Sequence, residues 1–157
     1  MAAPQNAITD MLATTIEHGT EAIAVEVVFD NLRPRQYLDL TANLTTDGTG
    51  SHLPTQATAL TYRGESTLDV YTDGRSRCAT ADDAVAIDYD TDVLTMTVPR
   101  RCVGEPRWIE AQVTAATMVY DAPPDDPRAD AVWEDDAYRT ALHPPAEQGT
   151  SVRLYHR

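Results

Sequence analysis

The sequence predicts an all-β fold, a two-sheet antiparallel sandwich of about eight strands. Three observations point there. Short apolar runs alternate with polar residues at a period of two, as in strands with one face in a core. Clusters of glycine, proline and aspartate separate these runs at short intervals. A single pair of cysteines, Cys78 and Cys102, stands in a chain of 157 residues. An even cysteine count in a small, strand-patterned chain reads as one structural disulfide and an oxidising compartment.

The elements follow in order. A first run, about Ile8 to Ile16, alternates weakly, and Glu17-His18-Gly19-Thr20 turns the chain, with His18 expected to cap that turn. Ile23, Val25, Val27 and Phe29 then share one face, opposed by Ala24, Glu26 and Val28. After the loop Asp30 to Arg35, Leu38, Leu40, Ala42 and Leu44 form a second inward face. Asp47-Gly48 opens a loop, and two short strands follow near Thr58 to Tyr62 and Thr67 to Thr72, joined by Arg63-Gly64-Glu65-Ser66. Val85, Ile87 and Tyr89 alternate, as do Leu94, Met96 and Val98, so a hairpin turns at Asp90-Thr91-Asp92. Pro99 closes it, because proline cannot donate to the ladder. The last strong run is Arg107 to about Tyr120, with Ile109, Ala111 and Val113 inward and Trp108, Glu110 and Gln112 on the opposite face. Beyond it the chain is acidic and rich in proline. A short helix is expected over Glu134 to Leu142, and an edge strand over Ser151 to Tyr155. The expected organisation is one domain over 1–157, with a sandwich core at 8–120 and a C-terminal segment at 121–157.

The formal net charge is −13, and every cation apart from histidine is arginine. Such a surface repels phosphate backbones and anionic headgroups, which argues against nucleic acid and membrane-surface partners. Arg100, Arg101 and Arg107 form the only basic cluster. The absence of lysine fits arginine-rich codon usage, with adaptation to salt as the alternative. No segment approaches the roughly 18 apolar residues that span a bilayer. Met1-Ala2-Ala3-Pro4 reads as a start placed on a mature end after a small-residue cleavage site, so export is expected, with the signal peptide absent from this chain; the alternative is a cytoplasmic protein with two free thiols.

The two cysteines enclose the Asp88 to Asp92 hairpin, and their bond would tie its two ends together. Their spacing and the lack of a nearby histidine pair speak against a CxxC redox or zinc motif. The turn Glu17-His18-Gly19, the stretch Val25 to Leu32, the Asp88 to Val93 hairpin, and Val98-Pro99-Arg100-Arg101-Cys102-Val103-Gly104-Glu105-Pro106-Arg107-Trp108 together carry a resemblance. Over about residues 8 to 120 the chain resembles a group of uncharacterised secreted β-sandwich proteins of actinobacteria, which share a VPRxC-x-G-x-PRW turn. It departs from them with Arg101 where serine is usual, and with an acidic second strand. The resemblance implies export, a β-sandwich and a disulfide. It implies no activity.

Candidate sites are few. Asp88, Asp90 and Asp92 have the one-residue spacing of oxygen donors in some calcium loops, although no EF-hand glycine and glutamate follow. Asp121, Asp125, Asp126 and Asp130 form a second acidic cluster in a proline-flanked loop. Ser51-His52 gives no triad by itself, and there is no nucleophile elbow or phosphate-binding loop. His18, His52, His143 and His156 are scattered, with no pair at ligand spacing. Trp108, Glu110 and Gln112 remain as a binding face, since an outward tryptophan beside polar groups suits a sugar or a protein interface. Trp133 is expected to pin the C-terminal segment to the body. The sandwich is expected to be immunoglobulin-like or jelly-roll-like. The function expected is an exported, non-enzymatic binding or interaction module for a protein or carbohydrate ligand. The alternatives are an extracellular hydrolase with paired carboxylates, and a structural subunit assembling through strand edges.

Overall fold

A computed structural model describes residues 10–34, 36–48, 53–118, 125, 132–137 and 153–156. Among them are eleven strands and one turn of 3-10 helix. The strands are β1 (Met11–His18), β2 (Ala22–Phe29), β3 (Tyr37–Thr46), β4 (Thr55–Tyr62), β5 (Glu65–Thr72) and β6 (Ser76–Cys78). They continue with β7 (Val85–Asp88), β8 (Val93–Pro99), β9 (Trp108–Met118), β10 (Val132–Asp136) and β11 (Leu154–Tyr155), and the 3-10 turn is Arg100–Val103.

Two antiparallel sheets form, with orders β1-β2-β8-β7 and β10-β9-β3-β4-β5-β6; β11 also pairs with β9. The larger sheet places a hairpin-linked pair, β4 and β5, beside β3 and β9, while β1, β2, β7 and β8 make the facing layer. With the added strands β6 and β11 set aside, this order matches a variable-type immunoglobulin sandwich and not a jelly roll. The chain departs from that pattern at its disulfide, which does not join β2 to β9.

The inward faces are those read from the alternation. Ile23, Val25, Val27 and Phe29 of β2 meet Leu38, Leu40, Ala42 and Leu44 of β3, all buried. Leu94, Met96 and Val98 of β8 and Ile109, Ala111, Val113 and Ala115 of β9 complete the core. Arg63 and Gly64 have φ of 53° and 82°, the left-handed pair that a two-residue β4–β5 hairpin requires.

The C-terminal segment differs from expectation. Residues 132–136 form a strand, not the start of a helix, because they pair with the outer edge of β9 from Met118 to Thr114. Residues 138–142 of the expected helix lie outside the described residues. Of the edge strand expected over Ser151 to Tyr155, Leu154 and Tyr155 pair with Ile109 and Trp108, while residues 151 and 152 lie outside the described residues. Two strands from beyond residue 120 thus belong to the larger sheet. The three-residue β6 is an addition to the strands that the alternation predicts.

Cys78 and Cys102 are bonded, with Cα atoms 5.7 Å apart. Cys78 ends β6 in the larger sheet, and Cys102 lies in the 3-10 turn after β8 of the smaller one. The bond therefore crosses from layer to layer as well as closing the base of the β7–β8 hairpin.

Candidate functional site

β9 supplies the side chains singled out as a binding face. Its odd positions enter the core, so Trp108, Glu110 and Gln112 stand half-buried on the outside of the larger sheet. Strand register extends that face sideways. Gln112 is opposite Asn43 of β3, Asn43 is opposite Gln56 of β4, and Gln56 is opposite Tyr71 of β5. Directly opposed residues in an antiparallel pair share a face, so four hydrogen-bonding side chains lie in one row across the sheet. The next row runs from Thr114 through Thr41 and Thr58 to Asp69. Thr41 donates its hydroxyl to Asp39 at 2.8 Å and lies 3.0 Å from the Thr58 hydroxyl. Burial among these neighbours raises the Asp39 carboxyl above its usual range, against the Thr41 bond that lowers it.

Trp108 is not free-standing. The Arg153 guanidinium carbon lies 4.2 Å from the centre of the indole ring, and Arg153 Nε donates to Glu110 at 2.8 Å. Trp108, Glu110 and Arg153 therefore act as one stacked unit at the end of the amide row. Arg153 could not have been picked from sequence, because only the pairing of β11 with β9 brings it there.

The hairpin aspartates are each occupied differently. Asp88 accepts from the backbone N–H groups of Asp90 and Thr91 at 2.9 and 3.2 Å. The Thr91 hydroxyl and these two N–H groups hold its carboxylate below the usual range. Asp92 has a φ of 57° and accepts from Leu32 N–H at 2.7 Å, which ties the hairpin tip to the β2–β3 loop. Asp90 is exposed. The three carboxylates are not brought together: among the described residues no group of three or more His, Cys, Asp or Glu is arranged to hold a metal ion. Of the second acidic cluster only Asp125 is described, and it is exposed. Ser51, His52 and His143 lie outside the described residues, and the Trp133 side chain is likewise not described.

His18 takes a role the sequence did not reveal. It is the last residue of β1, only 4% exposed. Its Nδ1 lies 2.9 Å from the Leu154 carbonyl oxygen. A carbonyl only accepts, so Nδ1 carries the proton and Nε2 is the bare nitrogen. Nε2 is buried with no partner. His18 thus fastens β11 to β1 and does not cap its adjacent turn. The His156 ring stands edge-on to it, with centroids 5.7 Å apart. Burial lowers the His18 pKa from the ordinary 6.5, with further lowering from Arg100 and His156; the Leu154 bond and Asp47 act the other way.

A base whose pKa is depressed by folding favours the neutral form in the fold. Its contribution is full above the unfolded pKa and is lost as pH falls through the folded one. The melting temperature is therefore expected to fall as pH drops below about 6.5, the ordinary histidine value, and to level off once pH is below the lowered folded pKa. His18→Gln is expected to flatten that slope, and parallel wild-type and variant profiles would refute the assignment.

Basic residues around the cysteine turn are structural anchors. Arg100 donates from its two Nη atoms to the carbonyls of Thr20, Glu105 and Pro106 at 3.2, 3.3 and 2.9 Å. Arg107 meets Asp47 through both its backbone N–H and Nε, at 3.1 and 2.9 Å, and holds the Asp47 carboxyl below its usual range.

No protein-family model matches this chain, and neither does any curated protein or solved structure.

Proposed function

We propose that this protein is an exported binding module that engages a carbohydrate or protein ligand through the outer face of its larger sheet. The observation that carries the reading is the row Gln112, Asn43, Gln56 and Tyr71, flanked by the Trp108–Arg153–Glu110 stack. Side-chain amides both donate and accept, and an aromatic ring adds apolar area with a polar tip. Such a surface suits ligands dense in hydroxyl or peptide groups. The face is built on paired strands, so its side chains are held in place before a ligand arrives, which lowers the ordering cost of association.

Export is supported by the disulfide, since such bonds persist in oxidising compartments. No helix among the described residues is long and apolar enough to cross a membrane.

The test is a titration of isotope-labelled protein with a panel of soluble oligosaccharides and extended peptides, followed by two-dimensional NMR. Saturable shifts of the Gln112, Asn43 and Gln56 side-chain amides and the Trp108 indole are expected. Gln112→Ala together with Gln56→Ala is expected to weaken binding by at least about tenfold, the loss of one to two net hydrogen bonds. Shifts that cluster away from this face would overturn the reading. Cleavage of the oligosaccharides would replace it with the hydrolase.

A further inference from the structure

The disulfide lies beside a cleft that the outer face does not use. The cleft has a volume of about 540 Å³, and Ser66, Thr67, Arg77, Cys78, Thr80 and Asp82 are among the residues lining it. It exists because β6 covers only Val70 to Thr72 of β5 before the chain leaves for the other sheet. Thr80 follows this departing chain and donates its hydroxyl to the Leu68 carbonyl at 3.0 Å. Arg77 is already committed, lying 2.6 Å from Asp69.

The two sulfurs of the bond are not equivalent. Cys78 lines the cleft and is partly exposed, whereas Cys102 is 2% exposed. Arg101 stands beside the buried one. Its Nη1 lies 3.5 Å from Cys102 Sγ, and its Nη2 is fixed by the Ala79 carbonyl at 2.8 Å. A thiolate next to a guanidinium is stabilised, and the leaving sulfur with the lower pKa departs faster in disulfide exchange.

We infer that Cys78–Cys102 is a directional site of thiol–disulfide exchange with low-molecular-weight thiols. The thiolate enters the cleft and attacks Cys78 Sγ. A new sulfur–sulfur bond forms there as the Cys78–Cys102 bond breaks, and its electron pair leaves on Cys102 beside Arg101. The incoming thiolate becomes a mixed disulfide and Cys102 becomes the thiolate, so charge and electrons balance without another oxidant or reductant. The cleft volume falls within the roughly 300 to 1,000 Å³ of ordinary small-molecule sites, which suits a thiol of about tripeptide size. The product carries an adduct on β6 and has lost its link between the sheets.

The probe is glutathione, added to the intact oxidised protein at mildly alkaline pH, with acid quenching and alkylation of free thiols. Trypsin separates the two sulfurs, because cleavage after Arg77, Arg100, Arg101 and Arg107 leaves one cysteine in each of two peptides. Mass spectrometry is expected to find glutathione on Cys78 and the alkyl group on Cys102, in at least tenfold excess over the reverse pattern, as a rough expectation from burial and leaving-group pKa. Arg101→Ser is expected to slow exchange about three- to tenfold, and Arg101→Lys to retain most of the rate. Glutathione mainly on Cys102, an even split, or an unchanged rate in Arg101→Ser would each overturn the inference.

Discussion

Replacing Phe29 by alanine is expected to lower the unfolding free energy by about 3 to 5 kcal/mol. Phe29 is the only phenylalanine of the chain and is 1% exposed. It ends β2, which is flanked by β1 and β8. Its backbone N–H donates to the Asp92 carbonyl at 2.9 Å, and its register partner on β1 is Met11. Truncation would remove a ring from the place where two strands and the hairpin tip converge. The loss combines the transfer term of the deleted atoms with a cavity that paired strands cannot close. Against a total of about 5 to 15 kcal/mol for a domain of this kind, it would consume a large share. Urea unfolding should show a lower midpoint with an unchanged slope, and the melting temperature should drop by roughly 6 to 20 °C. Leu12→Ala is the control, since Leu12 is 64% exposed and its loss should stay within about 0.5 kcal/mol. Equal effects of the two substitutions would refute this account of the core.

The inward place of Phe29 is visible in the sequence because strand alternation is local, whereas Leu12 lies in the weakly alternating first run, whose register with β2 shifts between Met11 and Ala13. Ile23 to Phe29, Leu38 to Leu44, Leu94 to Val98 and Ile109 to Val113 each carry their own inward face, and all are buried. What a sequence does not carry is a partner's identity. Glu134-Asp135-Asp136-Ala137 has no apolar alternation and reads as helix; it is a strand because the outer edge of β9 is there to pair with. The same holds for His18, whose bond is to Leu154 at the far end of the chain, and for Arg153 on Trp108. Trp108, Glu110 and Gln112 could be placed on an outer face by parity alone. Their extension through Asn43, Gln56 and Tyr71 needed the register of four strands. The hairpin aspartates show the converse limit: their spacing is apparent, but their bonds to turn N–H groups and to Leu32 arise from the folded tip.

Removing the disulfide, by Cys78→Ala with Cys102→Ala or by reduction, is expected to cost about 3 to 4 kcal/mol. The chain-entropy relation gives this for a closed loop of about 25 residues, and the sequence separation is 24. The position of the bond adds a second reason for a large effect. β6 pairs with β5 through three residues only, and β7 pairs with β8 through four. Both ends of the crossover between the sheets are thus weakly held by hydrogen bonding, and the bond from Cys78 to the 3-10 turn secures them. Urea unfolding with and without a reducing dithiol is the measurement. The wild type in reductant should match the double variant, which should itself be indifferent to reductant. The cysteine bond and Phe29 sit at opposite ends of the β7–β8 hairpin, because Asp92 is at its tip and Cys102 follows its base. Six residue steps along β8 at about 3.3 Å separate them by roughly 20 Å. Sites so far apart should add to within about 0.5 kcal/mol. A Phe29→Ala protein without the bond should therefore lose some 6 to 9 kcal/mol and stand at or below the threshold of folding. If the combined loss were much smaller than the sum, one end of the sandwich would already be open in the single variants, and the cross-sheet bond would not be what holds the crossover.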